Sequence, residues 1–203
     1  MSKVCASITT SVDGYITGPD DGPAMGLGKG GERLHYWVFG GPWSYDAEPR
    51  SDPGADLDGV EKEWMDAAFA RMGASVAGRW MYEAAGHWGD QNPWGVPTFI
   101  VTHRPEEQPE GDAFVFVDGV AEAIERAKAA AGDKDVAISG GADIIRQALA
   151  AGLVDELSII VAPLILGGGK RLFDGFEQDI ELTHKGVRQS EHATFIDYAV
   201  KQA

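Results

Sequence analysis

The sequence predicts an α/β protein whose central sheet is mostly parallel and ends in an antiparallel hairpin. Three observations predict it. Short apolar runs alternate with helical stretches through the middle of the chain, the order a parallel sheet requires. A Gly pair, Gly140-Gly141, stands where one apolar run hands over directly to an amphipathic stretch. Beyond residue 180 the alternation stops, and two longer strand-like stretches follow one another across a polar turn.

The elements follow in order. Residues 4–10 read as a strand and 32–39 as a short helix. Residues 60–72 form a better helix, because Trp64, Met65, Ala68, Phe69 and Met72 fall on one helical face. Residues 74–77 are a short buried strand and 79–85 a helix. Residues 98–102, bounded by Pro97 and Pro105, and residues 114–117 are strands. Residues 119–131 form a helix with Val120, Ala123, Ile124 and Ala127 in register, closed by Gly132. A strand at 136–139, a helix at 142–151 closed by Gly152 and a strand at 156–161 complete the alternation. Residues 180–188 and 194–201 pair around a turn at 190–192. The polar stretch 44–58, with Pro49 and Pro53, reads as an exposed insertion in a single domain spanning 1–203.

The 203 residues carry 17 Lys and Arg against 32 Asp and Glu, a net charge of −15. A general nucleic-acid binder or a polybasic membrane-surface protein needs the opposite balance. The single cysteine, Cys5, excludes an internal disulfide framework and multi-thiolate zinc sites; it reads as a small buried strand residue. No basic leader followed by an apolar stretch opens the chain, and no apolar run reaches the ~20 residues that span a bilayer. A cytoplasmic location is expected.

Three strand ends carry chemistry. The run Val136-Ala137-Ile138 ends in Ser139-Gly140-Gly141, and a helix begins at Ala142 and Asp143. Ligands of parallel sheets sit beyond the carboxyl ends of strands, and a Gly pair at a helix start lets a phosphate approach free N–H groups. A tight strand–helix turn explains the same residues equally well. At the second end, Ser75-Val76-Ala77 runs into Gly78, Arg79, Trp80 and Met81. At the third, Phe99-Ile100-Val101 runs into Thr102, His103 and Arg104, a hydroxyl, an imidazole and a guanidinium of the kind that holds a 2′-phosphate. Each is explained singly by a surface loop. Together, in so acidic a chain, they point to one extended anionic ligand such as a dinucleotide.

Other patterns are weaker. Gly26, Gly28 and Gly31 match Gly-x-Gly-x-x-Gly, but the first strand ends well before them, so the segment reads as a flexible loop suited to act as a lid. Asp13-Gly14 is a tight-turn pair, with a proton relay by Asp13 as the functional alternative. The five histidines show no metal-ligand spacing, and neither a Gly-x-Ser-x-Gly elbow nor a P-loop is present. Some tryptophans, among them Trp37, Trp43, Trp88 and Trp94, suit stacking on a flat ring, although core packing is the commoner use.

In the C-terminal half, Ser139-Gly140-Gly141-Ala142, Ala151-Gly152-Leu153-Val154-Asp155-Glu156-Leu157, Ala162-Pro163-Leu164-Ile165-Leu166-Gly167-Gly168-Gly169 and Leu172-Phe173 follow one another. Together they resemble the reductase domain of bifunctional riboflavin-biosynthesis deaminase/reductases, within the dihydrofolate reductase-like superfamily. Ser11-Val12-Asp13-Gly14 and Gly78-Arg79 followed by Tyr82-Glu83 agree more loosely. The resemblance implies a three-layer α/β/α dihydrofolate reductase-like fold of about eight strands, an NADPH-dependent reductase and a homodimer. It places Gly140-Gly141 against the pyrophosphate, Gly78-Arg79 near the phosphates, Thr102-His103-Arg104 at the 2′-phosphate and Asp13-Gly14 near the nicotinamide. Trp37, Leu166 and Gly167 are expected at a small-molecule substrate, pterin-like, pyrimidine-like or carbonyl-bearing. Met81 replaces a family Thr, and the acid that helps protonate folate has only Glu32 and His35 as positional counterparts. Two rivals stand beside the reductase: an NADP-binding protein without turnover, and a reductase-derived interaction module presenting Trp43 and Trp94.

Overall fold

The structure, a computed structural model, describes residues 2–45 and 57–201. Its strands are β1 (Val4–Ser11), β2 (Met72–Gly78), β3 (Thr98–Val101), β4 (Val115–Val117), β5 (Asp135–Gly140), β6 (Glu156–Ala162), β7 (Leu182–Gln189) and β8 (Thr194–Val200). Its helices are α1 (Tyr36–Phe39), α2 (Gly59–Arg71), α3 (Arg79–Ala84), α4 (Val120–Ala131) and α5 (Ala142–Ala150). The strands form one eight-stranded sheet in the order β4-β3-β2-β5-β1-β6-β8-β7. All pairings up to β1–β6 are parallel, and β8 pairs antiparallel with both β6 and β7. The α/β class, the strand count and the terminal hairpin agree with the sequence pattern.

Alternation along the central strands assigns the two faces. Val4, Ala6, Ala74, Val76, Val136, Ile138 and Leu157 share one core with Ile124, Ala127, Ile144, Ile145 and Ala148 of α4 and α5. These helices are amphipathic at the 3.6-residue period, so a single aliphatic stripe of each meets the sheet. The alternate residues face the other side, and there two separate clusters form. Ala77, Tyr82, Ile100, Phe114 and Phe116 pack at the β4 edge under α3. Trp37, Ile160, Ala193 and Phe195 pack toward β8, with Trp64 and Met65 of α2 against them. Helices thus lie on both faces, giving three layers. Between the clusters the second face carries Cys5, Ser7, Thr9, Ala137 and Ser139, all small or hydroxylic and all lining one cavity.

Several elements depart from expectation for local physical reasons. The segment 32–39 divides into a 3₁₀ turn (Gly31–His35) and the four-residue α1, because Gly30 enters it at φ 70° and Gly40 closes it at φ 64°. The helix expected over 60–72 ends at Arg71, and Met72 turns extended to begin β2. Of its apolar stripe, Trp64 and Met65 reach the core, whereas Phe69 stays exposed and lines the cavity. Cys5 is half-buried rather than buried, and its burial pushes the thiol pKa up to about 12. Of the insertion expected at 44–58, residues 46–56 lie outside the described residues.

A charged hub closes the amino end of the sheet. Glu156, at the start of β6, accepts Lys3 Nζ at 2.5 Å, Lys185 Nζ at 2.5 Å and Arg71 Nη2 at 2.9 Å. Burial opposes ionisation there, yet hydrogen bonds from Lys185, Lys3 and Arg71 hold its pKa down at about 2. Asp155 Oδ2 accepts the Val4 N–H at 2.8 Å, locking β1 beside β6. Removing one member of a buried pair strands its partners, whereas trimming an exposed cation does little. Glu156→Gln is therefore expected to lower stability by about 2 kcal/mol, and Lys185→Ala by less than about 1 kcal/mol. Urea melts at pH 7 measure both, and equal losses would show that Glu156 is not the hub.

Candidate active site

The cavity occupies about 1520 Å³ and runs across the second sheet face. Its floor is β1, β5 and β6, and its roof is the 3₁₀ turn, α1 and α2. The end beyond the carboxyl edge of β2 and β5 gathers most of the expected ligand-binding residues. Gly78, Arg79, Trp80, Met81, Thr102, His103, Arg104, Ser139, Gly141, Ala142 and Asp143 all line it, as does Trp37 under the roof. Asp13, Gly14, Gly140, Leu166 and Gly167 are not among the lining residues.

The β5–α5 junction is built for close approach. The Gly140–Gly141 peptide is cis, and Gly140 sits at φ 130°. A Cβ on Gly140 would meet Met81 Sδ at 3.0 Å, whereas one on Gly141 would meet nothing within 4 Å. Gly141 has φ −87°, which any residue adopts, so neither crowding nor φ explains its missing side chain. The start of α5 has no side-chain cap, so its first N–H groups remain available beside Gly141. Ser139 Oγ lies 2.8 Å from Ser75 Oγ, fixing the hydroxyl at the floor.

The cations are arranged differently from expectation. Helix α3 has only six residues, so its dipole contributes little, and Arg79 turns away from its start. Arg79 Nε donates to Glu83 at 2.7 Å and one Nη to Glu107 at 2.8 Å, with the guanidinium 4.8 Å over the Phe116 ring. Its other Nη is enclosed with no hydrogen-bond partner. Arg104 Nη1 donates to Glu107 at 3.0 Å and lies 3.7 Å from Glu83 through Nη2, so two acids bridge the two arginines. Thr102 Oγ1 accepts the Arg104 N–H at 3.1 Å and shapes the turn, while His103, 92% exposed, faces Asp118 at 3.3 Å. Glu83 and Glu107 were missed in the sequence. The i,i+4 spacing of Arg79 and Glu83 was a legible signal. Glu107 stands three residues from Arg104, a spacing equally legible, but its reach to Arg79 from another loop left no signal.

Asp13 clamps two loops. Ser11 Oγ donates to its Oδ1 at 2.6 Å, Leu166 N–H to Oδ1 at 3.1 Å and Gly167 N–H to Oδ2 at 2.8 Å. The Ser11 hydroxyl, then the Gly167 and Leu166 amides, hold its pKa at about 2 against partial desolvation. A carboxylate so held has no proton to relay near neutral pH, so this geometry supports the turn reading rather than the relay. Leu166 and Gly167 likewise serve the clamp through their backbone.

The glycine-rich segment 26–31 is hydrogen-bonded rather than free. Gly18 N–H donates to Leu27 O at 2.8 Å, Lys29 N–H to Pro19 O at 2.8 Å, and Leu27 N–H to Tyr45 Oη at 2.7 Å. A strap then crosses the mouth of the cavity. Asp21 Oδ2 accepts Trp80 Nε1 at 2.8 Å and Lys170 Nζ at 2.7 Å, and Lys170 Nζ sits 4.2 Å over the Trp80 ring. Trp43 and Trp94, expected as exposed interaction residues, are half-buried among aromatic rings: Trp43 stacks on Phe39 at 4.4 Å, and Trp94 meets Trp88 edge-on at 4.7 Å. Trp37 Nε1 donates to Thr9 Oγ1 at 3.0 Å and ties the roof to the floor. Among the described residues no three metal-type ligands converge, and no helix is long and apolar enough to cross a membrane.

The family model described as the RibD C-terminal domain matches residues 2–195. The chain belongs to this family. A curated relative, the uncharacterized protein YyaP of Bacillus subtilis, is 34% identical over 88 residues, covering 43% of this chain and 46% of the relative. The chain spans about half the length of the curated relatives it matches. A solved putative riboflavin biosynthesis protein from Shewanella sp. PV-4 superposes with TM-score 0.70 at 23% identity, covering 98% of this chain and 99% of that one. Dihydrofolate reductase from Enterococcus faecalis, solved with NADP(H), superposes with TM-score 0.56 at 14% identity, covering 98% and 96%. The RibD family thus wears a dihydrofolate reductase-like fold in this chain.

His35 gives this site a pH signature. It lines the cavity under the roof, and its enclosure pushes the imidazole pKa from 6.5 down to about 4. The unfolded chain takes up a proton near pH 6.5 that the folded chain refuses until about pH 4. Stability is therefore expected to fall as pH drops through that window and to do so less in His35→Gln. Thermal melts at pH 7, 6, 5 and 4 give the comparison; parallel slopes in both proteins would show that His35 does not titrate this way.

Proposed function

We propose that the protein is an NADPH-dependent reductase acting on a small heterocyclic or carbonyl-bearing substrate. The observation that carries this reading is the open, uncapped β5–α5 junction, where Gly141 lacks a side chain that neither space nor φ forbids. A dinucleotide pyrophosphate laid against Gly140-Gly141 and the free amides of α5 accounts for that gap. The residues present fit the group further along as well. Arg79 keeps an unpartnered guanidinium nitrogen, and Arg104 and His103 are solvent-facing donors suited to a 2′-phosphate. Family membership and the NADP(H) complex of a neighbour of like fold support the same ligand.

Bound NADPH supplies the hydride. The chain's own residues orient and shield. Gly141 and the α5 amides hold the phosphates, Trp80 and Met81 wall the approach, and the Asp21–Trp80–Lys170 strap limits water at the mouth. One observation favours a second reading, binding without turnover: the Asp13 carboxylate is fully engaged and ionised, so it offers no proton to a reduced substrate. As part of the same proposal we expect a homodimer in the cytoplasm; Val187 and Leu182, exposed on the edge strand β7, suit a subunit contact.

NADPH titration followed by tryptophan fluorescence tests the core of this reading, and an unchanged signal would end it. Gly141→Val is expected to weaken NADPH by at least about tenfold while the melting temperature stays near that of the parent, since the side chain enters open space. Arg104→Ala is expected to weaken NADPH by about tenfold and NADH hardly at all, the cost of one charge-assisted contact. Equal loss for both cofactors would remove Arg104 from the 2′-phosphate.

A further inference from the structure

Two arginines at the ends of β2 and β3 share one acid. Glu107 Oε2 accepts Arg79 Nη2 at 2.8 Å, and Glu107 Oε1 accepts Arg104 Nη1 at 3.0 Å, so a single carboxylate spans both guanidinium groups. Glu83 Oε1 accepts Arg79 Nε at 2.7 Å and lies 3.7 Å from Arg104 Nη2. Both arginines line the cavity and neither glutamate does, so the acids hold the cations from outside it. The four side chains sum to zero charge, and a phosphate monoester brings about two more negative charges. A phosphate seated here therefore competes with a carboxylate for the same N–H groups. The two acids differ in their freedom to yield. Glu83 stands on α3 one turn from Arg79, and its side chain is 25% exposed. Glu107 is 41% exposed and ends the three-residue 3₁₀ turn Pro105–Glu107. That turn is pinned without it. Gln108 Oε1 accepts the Phe116 N–H at 2.6 Å, and Gln108 Nε2 donates to Phe114 O at 2.8 Å. Arg79 is held in turn over the Phe116 ring. The Glu107 side chain can leave while the turn and Arg79 stay in place.

We infer that Glu107 is a positioning residue that sets how strongly the protein prefers a 2′-phosphorylated adenosine: its carboxylate holds Arg79 and Arg104 in readiness and competes with the 2′-phosphate for them. Pairing does not close the two cations to phosphate. It lowers the affinity that the bare pair would have. A phosphate, with its terminal oxygens and greater charge, displaces a carboxylate from two guanidinium groups, and the enclosed, unpartnered Nη1 of Arg79 is a further donor for it. Without a 2′-phosphate, as in NADH, Glu107 stays where it is and binding is indifferent to it. This role deepens the NADPH reading and rests on it.

The test uses the full chain at pH 7 and about 0.15 M salt. The parent, Glu107→Gln, Glu107→Asp, Arg104→Ala and the double variant Arg104→Ala/Glu107→Gln are titrated with NADPH, NADH, adenosine 2′,5′-bisphosphate and adenosine 5′-monophosphate, with calorimetry or tryptophan fluorescence as readout. The last two ligands differ only in the 2′-phosphate. Glu107→Gln should tighten NADPH and the bisphosphate by about tenfold and shift NADH and the monophosphate by less than about twofold, since the lost charge lies beside the 2′-phosphate alone. Glu107→Asp, which keeps the charge, should stay closer to the parent. With Arg104→Ala the gain from Gln should shrink to about threefold or less, because one of the two contested cations is gone. An equal gain for all four ligands, an unchanged or weakened NADPH, or a full gain without Arg104 would overturn the inference while NADPH binding stands. Binding of none of the four ligands by any of the proteins would overturn the NADPH reading itself, and the role of Glu107 with it.

Discussion

The parallel pairing of β1 with β6 is the constraint on which the rest of the molecule depends. Seven residues of β1 run in register with β6, from Cys5 opposite Glu156 to Ser11 opposite Ala162. Acidic side chains secure both ends of the pair. Asp155 takes the Val4 amide and Glu156 collects three cations at the amino end, while Asp13 takes the Leu166 and Gly167 amides at the carboxyl end. A slip of one residue would exchange the faces of the strand, bringing Ser7 and Thr9 into the aliphatic core and Ala6 and Ile8 onto the cavity floor. The register therefore decides both stability and the chemistry of the cavity.

The two faces meet opposite demands. The α4–α5 face is filled with aliphatic side chains at close packing, the usual arrangement for a parallel sheet. The other face is filled only at its flanks, by an aromatic cluster on each side, and its centre is paved with small and hydroxylic residues. Roof and floor are kept apart by a few directional contacts. Trp37 reaches Thr9, and Trp64 reaches Asp197 at 3.5 Å. Helix α2 spans the space as a lintel with its apolar residues divided between the core and the cavity.

Much of this was legible in the chain. Strand–helix alternation and the terminal hairpin are local patterns, and they gave the architecture because β-periodicity and helical stripes are written in neighbouring residues. Residues of the three strand ends beyond β2, β3 and β5, singled out by their donor side chains, line one cavity. What did not show was long-range pairing. Nothing near Arg79 announced that Glu107 would reach it, and nothing near Asp13 announced the loop 164–167 that claims its carboxylate. The hydroxyls of the floor were in plain view in Ala6-Ser7-Ile8-Thr9, where one parity is aliphatic and the other polar. Glu156, a charge heading an otherwise apolar strand, was visible as an oddity, but its three partners come from residues 3, 71 and 185. His35 stood out only by position, and that it lines the cavity is a property of the fold.

The division of labour between faces has a consequence for how such a chain changes over time. Neighbouring positions along β1, β5 and β6 answer to different masters: one is held by packing, the next by whatever occupies the chamber. Thr9 and Ser158 also hold Trp37 and Asp197, whereas Ser7 carries no such tie, so the freedom to exchange a floor residue differs from one position to the next. Appetite for a new molecule and endurance of the scaffold are inherited through separate letters of the same strand, so a lineage can revise the first while leaving the second intact.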